Sequence, residues 1–511
     1  MAPQAPLYSG AKLALLTFVL AMANLMEVLD LTIANVSIPT ITGDLAVSSS
    51  QGAWIITSYA VANAITVPLT GWFALRFGQV RMYALMIACF TASSLLCAMA
   101  TSLEALVAFR VLQGACAGFM VPLSQALLMN SFPPQKRAMG LAIWAMTITI
   151  APIIGPILGG WITDNYHWSW IFLINIPVGV FAAVATWAML RDRETETRRL
   201  PVDGVGIALL VVWVGALQIL LDKGNELDWF RSDVIVGLAV VAALGFALFL
   251  AWELTEAHPV VDLGLFRFHN FRRGVVTLGL GFSLFFASLI LVPLWLQTQM
   301  GYTSQWAGFA LAPGGIFAVL LSPLAAKLMS RRADPRVLAT FGFAVFATVA
   351  FWRSSFATTA DFATIALPQL LQGVGIAFFF TPLISINLGG IPPQRIANAT
   401  GLQNFMRMMM GSFGASITIA AWDNRASVHR TQLAAGLDAY SPTVREFLDR
   451  LTAGGMSLDQ AWGQIDRMLN NQASMLAAND IFWVVGCLFV VLTALLWTTR
   501  PPFGGGPAGG H

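Results

Sequence analysis

Residues 109–137 read FRVLQGACAGFMVPLSQALLMNSFPPQKR, and residues 368–395 read PQLLQGVGIAFFFTPLISINLGGIPPQR. At one constant offset Gln113 matches Gln372, Gly114 matches Gly373, Phe119 matches Phe378, and Pro133, Pro134 and Gln135 match Pro392, Pro393 and Gln394. Chance does not hold a register that long. The chain is a duplication whose copies run in the same direction, the arrangement in which two bundles rock about a central site.

Each copy lies in an apolar run, and such runs dominate the 511 residues, of which 57% are hydrophobic and only 10% charged. An ordinary soluble domain is about 25% charged. A helix of ~20 apolar residues crosses the ~30 Å hydrocarbon core. Runs of that length fall at 12–38, 52–75, 82–100, 104–129, 138–162, 168–189, 204–221, 233–252, 274–297, 305–329, 337–354, 362–388, 397–421 and 479–499. The expected fold is therefore all-α and integral to the membrane, with fourteen transmembrane helices. The repeat equates the fourth run with the twelfth, which gives two six-helix bundles, 12–190 and 273–499, around a two-helix central insert, 204–252. The first run is too long for a signal-peptide core and is expected to stay.

Lys and Arg cluster in alternate loops: Arg76 and Arg81, Lys136 and Arg137, Arg191 to Arg199, Arg267 to Arg273, Lys327 to Arg336, and Arg395. Basic residues near span ends stay cytoplasmic. The N-terminus (1–11) and the Gly-rich tail (500–511) are thus expected in the cytoplasm, and the long segment 422–478 outside it. In that segment TVREFLDRLTAGG and LDQAWGQIDRMLNNQASML show helical spacing, which predicts two or three short helices on the outer mouth. A net charge of +3 is this loop bias and no sign of nucleic acid. Cys89, Cys97, Cys116 and Cys487 lie in spans without a CxxC pair and read as packing residues.

Two acids fall well inside a span, Glu27 and Asp30 of LMEVLDLTIANVSIP (25–39). Three residues apart on a helix, they share a face, with Asn24, Asn35 and Ser37 on or beside the same stripe. A carboxylate left in lipid costs at least ~2.5 kcal/mol, so this face must look into the bundle. Two acids held close together out of bulk water suit proton exchange. Alternatively, one of them pairs permanently with Arg110 and merely ties two spans together. Arg110 is an intramembrane Arg whose repeat counterpart is Gln369; it either tunes a carboxylate or snorkels to the interface. Arg407, in FMRMMMG, is the other, and with Asn24, Asn35, Gln113 and Gln372 it makes a candidate polar lining for a substrate cavity. In APIIGPILGG (151–160), Pro152 and Pro156 interrupt the hydrogen-bond ladder while Gly155, Gly159 and Gly160 admit a close neighbour. No P-loop, HExxH or GxSxG occurs, and no metal set or cofactor is expected. Uphill work would then draw on an ion gradient, with protons as the coupled ion.

These motifs resemble the major facilitator superfamily, and in particular its fourteen-span drug/proton antiporters. LDLTIANVSIP (29–39) is similar to the first-span motif, LVAFRVLQGACAG (106–118) to the fourth-span motif with its buried Arg, and APIIGPILGG to the fifth-span antiporter motif. The likeness extends over nearly the whole chain to the EmrB type of multidrug exporter. It implies Asp30 as proton site, Arg110 as its coupling partner, and Gly155, Pro156, Gly159 and Gly160 as a conformational element. It further implies proton-coupled efflux of hydrophobic compounds across the bacterial inner membrane, with a periplasmic adaptor and an outer-membrane channel as partners. The loop GWFALRFGQVR (71–81) keeps Gly71, Arg76 and Gly78 of the superfamily pattern but carries Leu75 in place of its Asp. The other readings are an exporter dedicated to one metabolite or to a fatty or aromatic acid, and an uncoupled facilitator.

Overall fold

The computed structural model describes residues 10–133, 136–198, 201–331, 333–435, 437, 441–501 and 503. The expectations placed on Pro134, Gln135, Arg199, Arg332, the first nine residues and most of the Gly-rich tail lie outside those residues. The first half contains α1 (Gly10–Asp44), α2 (Ser49–Gly52), α3 (Trp54–Thr66), α4 (Thr70–Phe77), α5 (Gln79–Ala98), α6 (Leu103–Ser131), α7 (Arg137–Asn165), α8 (Trp170–Leu173) and α9 (Asn175–Leu190). Then come α10 (Gly204–Lys223) and α11 (Asp233–Thr255), followed by α12 (His269–Thr298), α13 (Ser304–Ser330), α14 (Pro335–Arg353) and α15 (Phe362–Leu388). The chain ends with α16 (Ile396–Ala435), α17 (Pro442–Ala453) and α18 (Leu458–Leu496). No strand occurs among the described residues. Eleven helical stretches among them are long and apolar enough to cross a membrane.

The segments that fall short do so for local reasons. Between α3 and α4 the helix tightens into a 3-10 turn at Val67–Leu69, where Pro68 has no N–H to give. In α16 the apolar part runs without a break into polar residues up to Ala435. The last of these corrects the sequence reading of 422–478. The region is not two or three separate short helices, because α16 and α18 simply continue into it, and α17 alone is a separate helix. Gly454 and Gly455 do end α17, Gly455 at φ +94°, where a side chain would be strained. Ser457 then opens α18 with a capping box to Gln460.

Packing follows the duplication. In the first half α1 lies on α7, α3 on α6, and α5 on both α6 and α9; in the second, α13 and α14 lie on α15, and α12 and α18 on α16. Ser102 caps α6 by accepting from Ala105 N at 3.3 Å, and Asp361, at the same repeat offset, caps α15 by accepting from Thr364 N at 2.9 Å. Gly114 of α6 sits against the Tyr59 backbone of α3, while its counterpart Gly373 of α15 sits against the Gly314 backbone of α13. A side chain at either position would push two helices apart. The halves meet through α7 on α13, α6 on α16 and α4 on α16.

The insert is tied into both halves. Its ends bury Asp203, Lys223 and Glu253, although no charge lies near the middle of either helix. α10 also touches both halves: Asp222 accepts from Thr57 of α3, and the Leu221 carbonyl accepts from Ser416 of α16 at 2.5 Å.

Gly373→Leu should lower the thermal midpoint of the detergent-solubilised protein by several degrees, as overpacking costs about 1–3 kcal/mol. Gly237→Leu, at a position with open space around it, should not. Equal midpoints would show that the α13–α15 seam tolerates a side chain.

Candidate functional site

Asp30 is 2% exposed, yet both of its carboxylate oxygens are engaged. Oδ2 accepts from Arg110 Nη1 at 2.5 Å, and Oδ1 accepts from Gln113 Nε2 at 2.9 Å and from Asn175 Nδ2 at 2.7 Å. Arg110, with no exposed surface, donates in addition to Gln113 Oε1 at 2.8 Å and from Nε to the Ile55 carbonyl at 3.1 Å. Its guanidinium lies 4.2 Å from the Tyr59 ring centroid, a cation–π contact in a dry site. Asn175 is held in turn by Ser94 at 3.0 Å. One buried ion pair thus joins α1, α6, the start of α3 and the start of α9. Arg110 does not snorkel.

Glu27 belongs to a different set. It accepts from Tyr59 Oη at 3.3 Å and from Asn63 Nδ2 at 3.1 Å, both on α3. The charge that reaches it from the second half is that of Arg407. Arg407 is half-buried, stacks 4.7 Å from the Phe282 centroid and donates from Nε to Asn404 Oδ1 at 3.3 Å. It forms no salt bridge among the described residues. The two acids share a helix face, as their spacing requires, but one is paired inside its own half and the other faces across.

The remaining expected residues divide. Gln113 joins the Asp30 cluster, and Asn24 binds Thr147 of α7. Asn35 is exposed and takes no part in that cluster. Gln372 accepts from Arg353 of α14, a buried arginine at the end of its apolar run. Gly155 packs on Thr32 and Gly159 on the Ile33 backbone, which lets α7 lie against α1 one turn from Asp30. Gly160 meets nothing within 4 Å and adds nothing to that seam. Pro152 and Pro156 run within the continuous α7, and their side chains lie outside the described residues.

On the side of the α4–α5 turn the halves are in contact. Gly71 packs against Asn398, a Cβ at Gly401 would lie 3.2 Å from the Val67 carbonyl, and Asn404 donates to Gln125 at 2.8 Å. Leu75 brings no acid, but two others are near. Glu194, from the segment after α9, accepts from Val80 N at 3.0 Å and Arg81 N at 2.8 Å, so a carboxylate closes the N-terminus of α5. Gly78, at φ +94°, wraps that carboxylate. Asp262 pairs with Arg395 at 2.6 Å beside the start of α16. Arg76 stacks on Trp72 at 5.2 Å. Tyr59, Asn63, Asn175, Arg353, Glu194 and Asp262 were all missed in the sequence. The one available signal was an Asn inside an apolar run, at Asn63 and Asn175.

This geometry, an intramembrane ion pair inside one of two duplicated helical bundles, defines a membrane transporter. Residues 20–415 match the Major Facilitator Superfamily, and the chain belongs to it. It is a multi-pass membrane transporter and not an enzyme. The multidrug export protein EmrB of Escherichia coli (strain K12) is 47% identical over 511 residues, covering 100% of this chain and 99% of its own. The fatty acid resistance protein FarB of Neisseria gonorrhoeae is 46% identical over 506 residues, 99% of each chain. The crystal structure of the human organic anion transporter MFSD10 superposes with a TM-score of 0.58 at 13% identity, over 96% of this chain and 100% of that one, a likeness of fold alone.

Arg110→Gln strands the Asp30 carboxylate and should cost about 3–5 kcal/mol, read as lost thermal stability. Adding Asp30→Asn should recover part of it. A single variant as stable as the parent would show that the pair does not hold α1 to α6.

Proposed function

We propose that this chain is a proton-coupled multidrug exporter of the bacterial inner membrane, working by alternating access. The observation that carries the reading is the dry Asp30–Arg110 pair, taken with full-length similarity to EmrB proteins. Protonating Asp30 removes half of the ion pair, so it also loosens α6 from α1. A proton taken from outside and released inside would then drive the swing of one bundle against the other. One proton moving down ~100 mV and ~1 pH unit supplies ~3.7 kcal/mol, enough for roughly a 500-fold gradient of a neutral compound. Asp30 is the coupling acid, Arg110 its partner, and Glu27 the acid that faces the substrate. The α1–α7 glycine seam and the contact of Gly71 with Asn398 are the moving joints.

The same reading counts fourteen crossings, adding 54–77, α7 and the apolar part of α16 to the eleven stretches above. It divides the chain into bundles 12–190 and 273–499 with the insert 204–252 between them. Both termini are cytoplasmic, so the α4–α5 turn is too. The extensions of α16 and α18, capped by α17, stand in the periplasm, where they offer an adaptor protein a helical surface leading to an outer-membrane channel. Protons are the only energy source, and no cofactor is needed.

In reconstituted vesicles, adding substrate should produce proton flux, and Asp30→Asn should abolish it. Flux unchanged in both Asp30→Asn and Glu27→Gln would remove the proton site from this helix; transport with no flux at all would mean an uncoupled facilitator.

A narrower reading, an exporter of lipophilic acids, is favoured by Arg407, a guanidinium on an aromatic wall with no carboxylate of its own. The FarB relative is named for fatty acid resistance. Arg407→Gln should then cut transport of a carboxylate-bearing amphiphile by about tenfold or more, the size of one charged hydrogen bond, while sparing a neutral dye. Equal losses for both compounds would argue for the broad reading.

A further inference from the structure

A groove of about 720 Å³ lies on the outer surface of the second half, between α12, α16 and α18. Its floor is built of buried small residues, Ala287, Gly414 and Thr418, and its rim of exposed bulky ones, Ile417, Trp483 and Leu488. Along α18 it runs from Asp480 to Leu492, about 18 Å at 1.5 Å per residue. Half of a ~30 Å hydrocarbon core is close to that length. Charge appears at one end only, the end nearer α17. There Asp480 Oδ2 accepts from Arg425 Nε at 2.8 Å and meets His429 Nε2 at 2.8 Å. Arg425 spends Nε and Nη2 on that one oxygen, and Nη1 forms no hydrogen bond among the described residues; nor does Asp480 Oδ1. The mouth of the groove therefore presents a cation edge and an anion edge side by side, at the end where the apolar part of α18 gives way to polar residues.

We propose that this groove holds a phospholipid from the leaflet on the α17 side, one acyl chain in the slot, its phosphate on Arg425 and a headgroup ammonium on Asp480. The length of the slot is close to that of one leaflet's chains, and apart from Ser283 and Thr418 its wall below the mouth is apolar. The paired charges at the mouth complement a zwitterionic aminophospholipid better than an anionic one, which would meet the Asp480 carboxylate. A lipid seated there bridges α12, α16 and α18, the helices that carry Arg407 and Phe282, so it sits directly behind the candidate substrate wall. The proposal does not depend on proton coupling or on the identity of the exported compound.

The test is native mass spectrometry of the full chain after exchange into mixed micelles of detergent with equal phosphatidylethanolamine and phosphatidylglycerol. The parent protein should retain phosphatidylethanolamine in preference. Ala421→Phe, which fills the slot and displaces acyl CH₂ groups worth ~0.8 kcal/mol each, and Arg425→Gln, which removes the cation at the mouth together with its bond to Asp480, should each lower retention about five-fold or more, with thermal midpoints measured alongside to separate loss of lipid from loss of fold. Val240→Phe, on the exposed face of α11, should change nothing. Equal retention of the two lipids, or retention unchanged in both groove variants, overturns the proposal. So does displacement of the lipid by an added drug whose transport Ala421→Phe abolishes, because the groove would then be a substrate entry path.

Discussion

A carboxylate and a guanidinium cannot both sit in a dry helical bundle unless they find each other, and the first half is arranged so that Asp30 and Arg110 do. Burial of two ions carries a desolvation cost that the Coulomb attraction repays only when geometry is good and the remaining donors and acceptors are satisfied. Here Gln113 and Asn175 fill the free positions on Asp30, while the Ile55 carbonyl and the Tyr59 ring take the other edges of Arg110. Nη2 of Arg110 is left without a partner. The cluster is therefore well satisfied on the acid and incompletely on the base, an imbalance that favours rearrangement once the acid loses its charge. Because its members come from α1, α3, α6 and α9, any change of charge there is felt by four helices at once.

The close approach of those helices is set by residues with little or no side chain. Gly114 and Gly118 of α6 sit on α3, and Gly155 and Gly159 of α7 sit on α1. In a bilayer, where lipid is as apolar as a leucine, contact of this kind replaces the hydrophobic drive that holds soluble bundles together. Glycine seams also slide without unlocking interdigitated side chains. It is consistent that they flank the ion pair, while the bulky aromatic cluster of Phe282, Phe285, Phe346, Phe379 and Phe380 stabilises the second half.

Much of this was legible in the sequence, for reasons that differ from residue to residue. The duplication shows because Gln113 and Gln372, Gly114 and Gly373 each meet a constraint of packing or hydrogen bonding that recurs in both halves. Asp30, Glu27 and Arg110 stand out because charge is rare in an apolar run. Asn175 and Asn63 were passed over because an Asn is cheap enough in a span not to announce itself. Glu194 lay hidden in a charged loop, where nothing local says that its carboxylate reaches the α5 N-terminus across more than a hundred residues of chain. Arg353 was missed because its apolar run ends there, and the fold turns it inward. Segment 422–478 read as separate helices because polar residues interrupt the apolar pattern, although hydrogen bonding carries α16 and α18 straight through.

Both halves set the same glutamine against a guanidinium, but the guanidinium comes from a different helix in each. In the first, Gln113 accepts from a guanidinium on its own helix, Arg110, and Asp30 of α1 completes the charge balance. In the second, Gln372 accepts from Arg353, which comes from the neighbouring α14, and no carboxylate pairs with it among the described residues. Nε of Arg353 stays unbonded and the ring of Phe482 lies 5.8 Å away. A guanidinium keeps its proton across the physiological range, so a cluster of this composition has no acid through which to titrate. Among the described residues, the fully buried guanidinium of the first half is paired with a carboxylate and that of the second half is not. The duplication supplied two similar cradles, and among the described residues a carboxylate, Asp30 of α1, completes the first while the second holds its guanidinium without one.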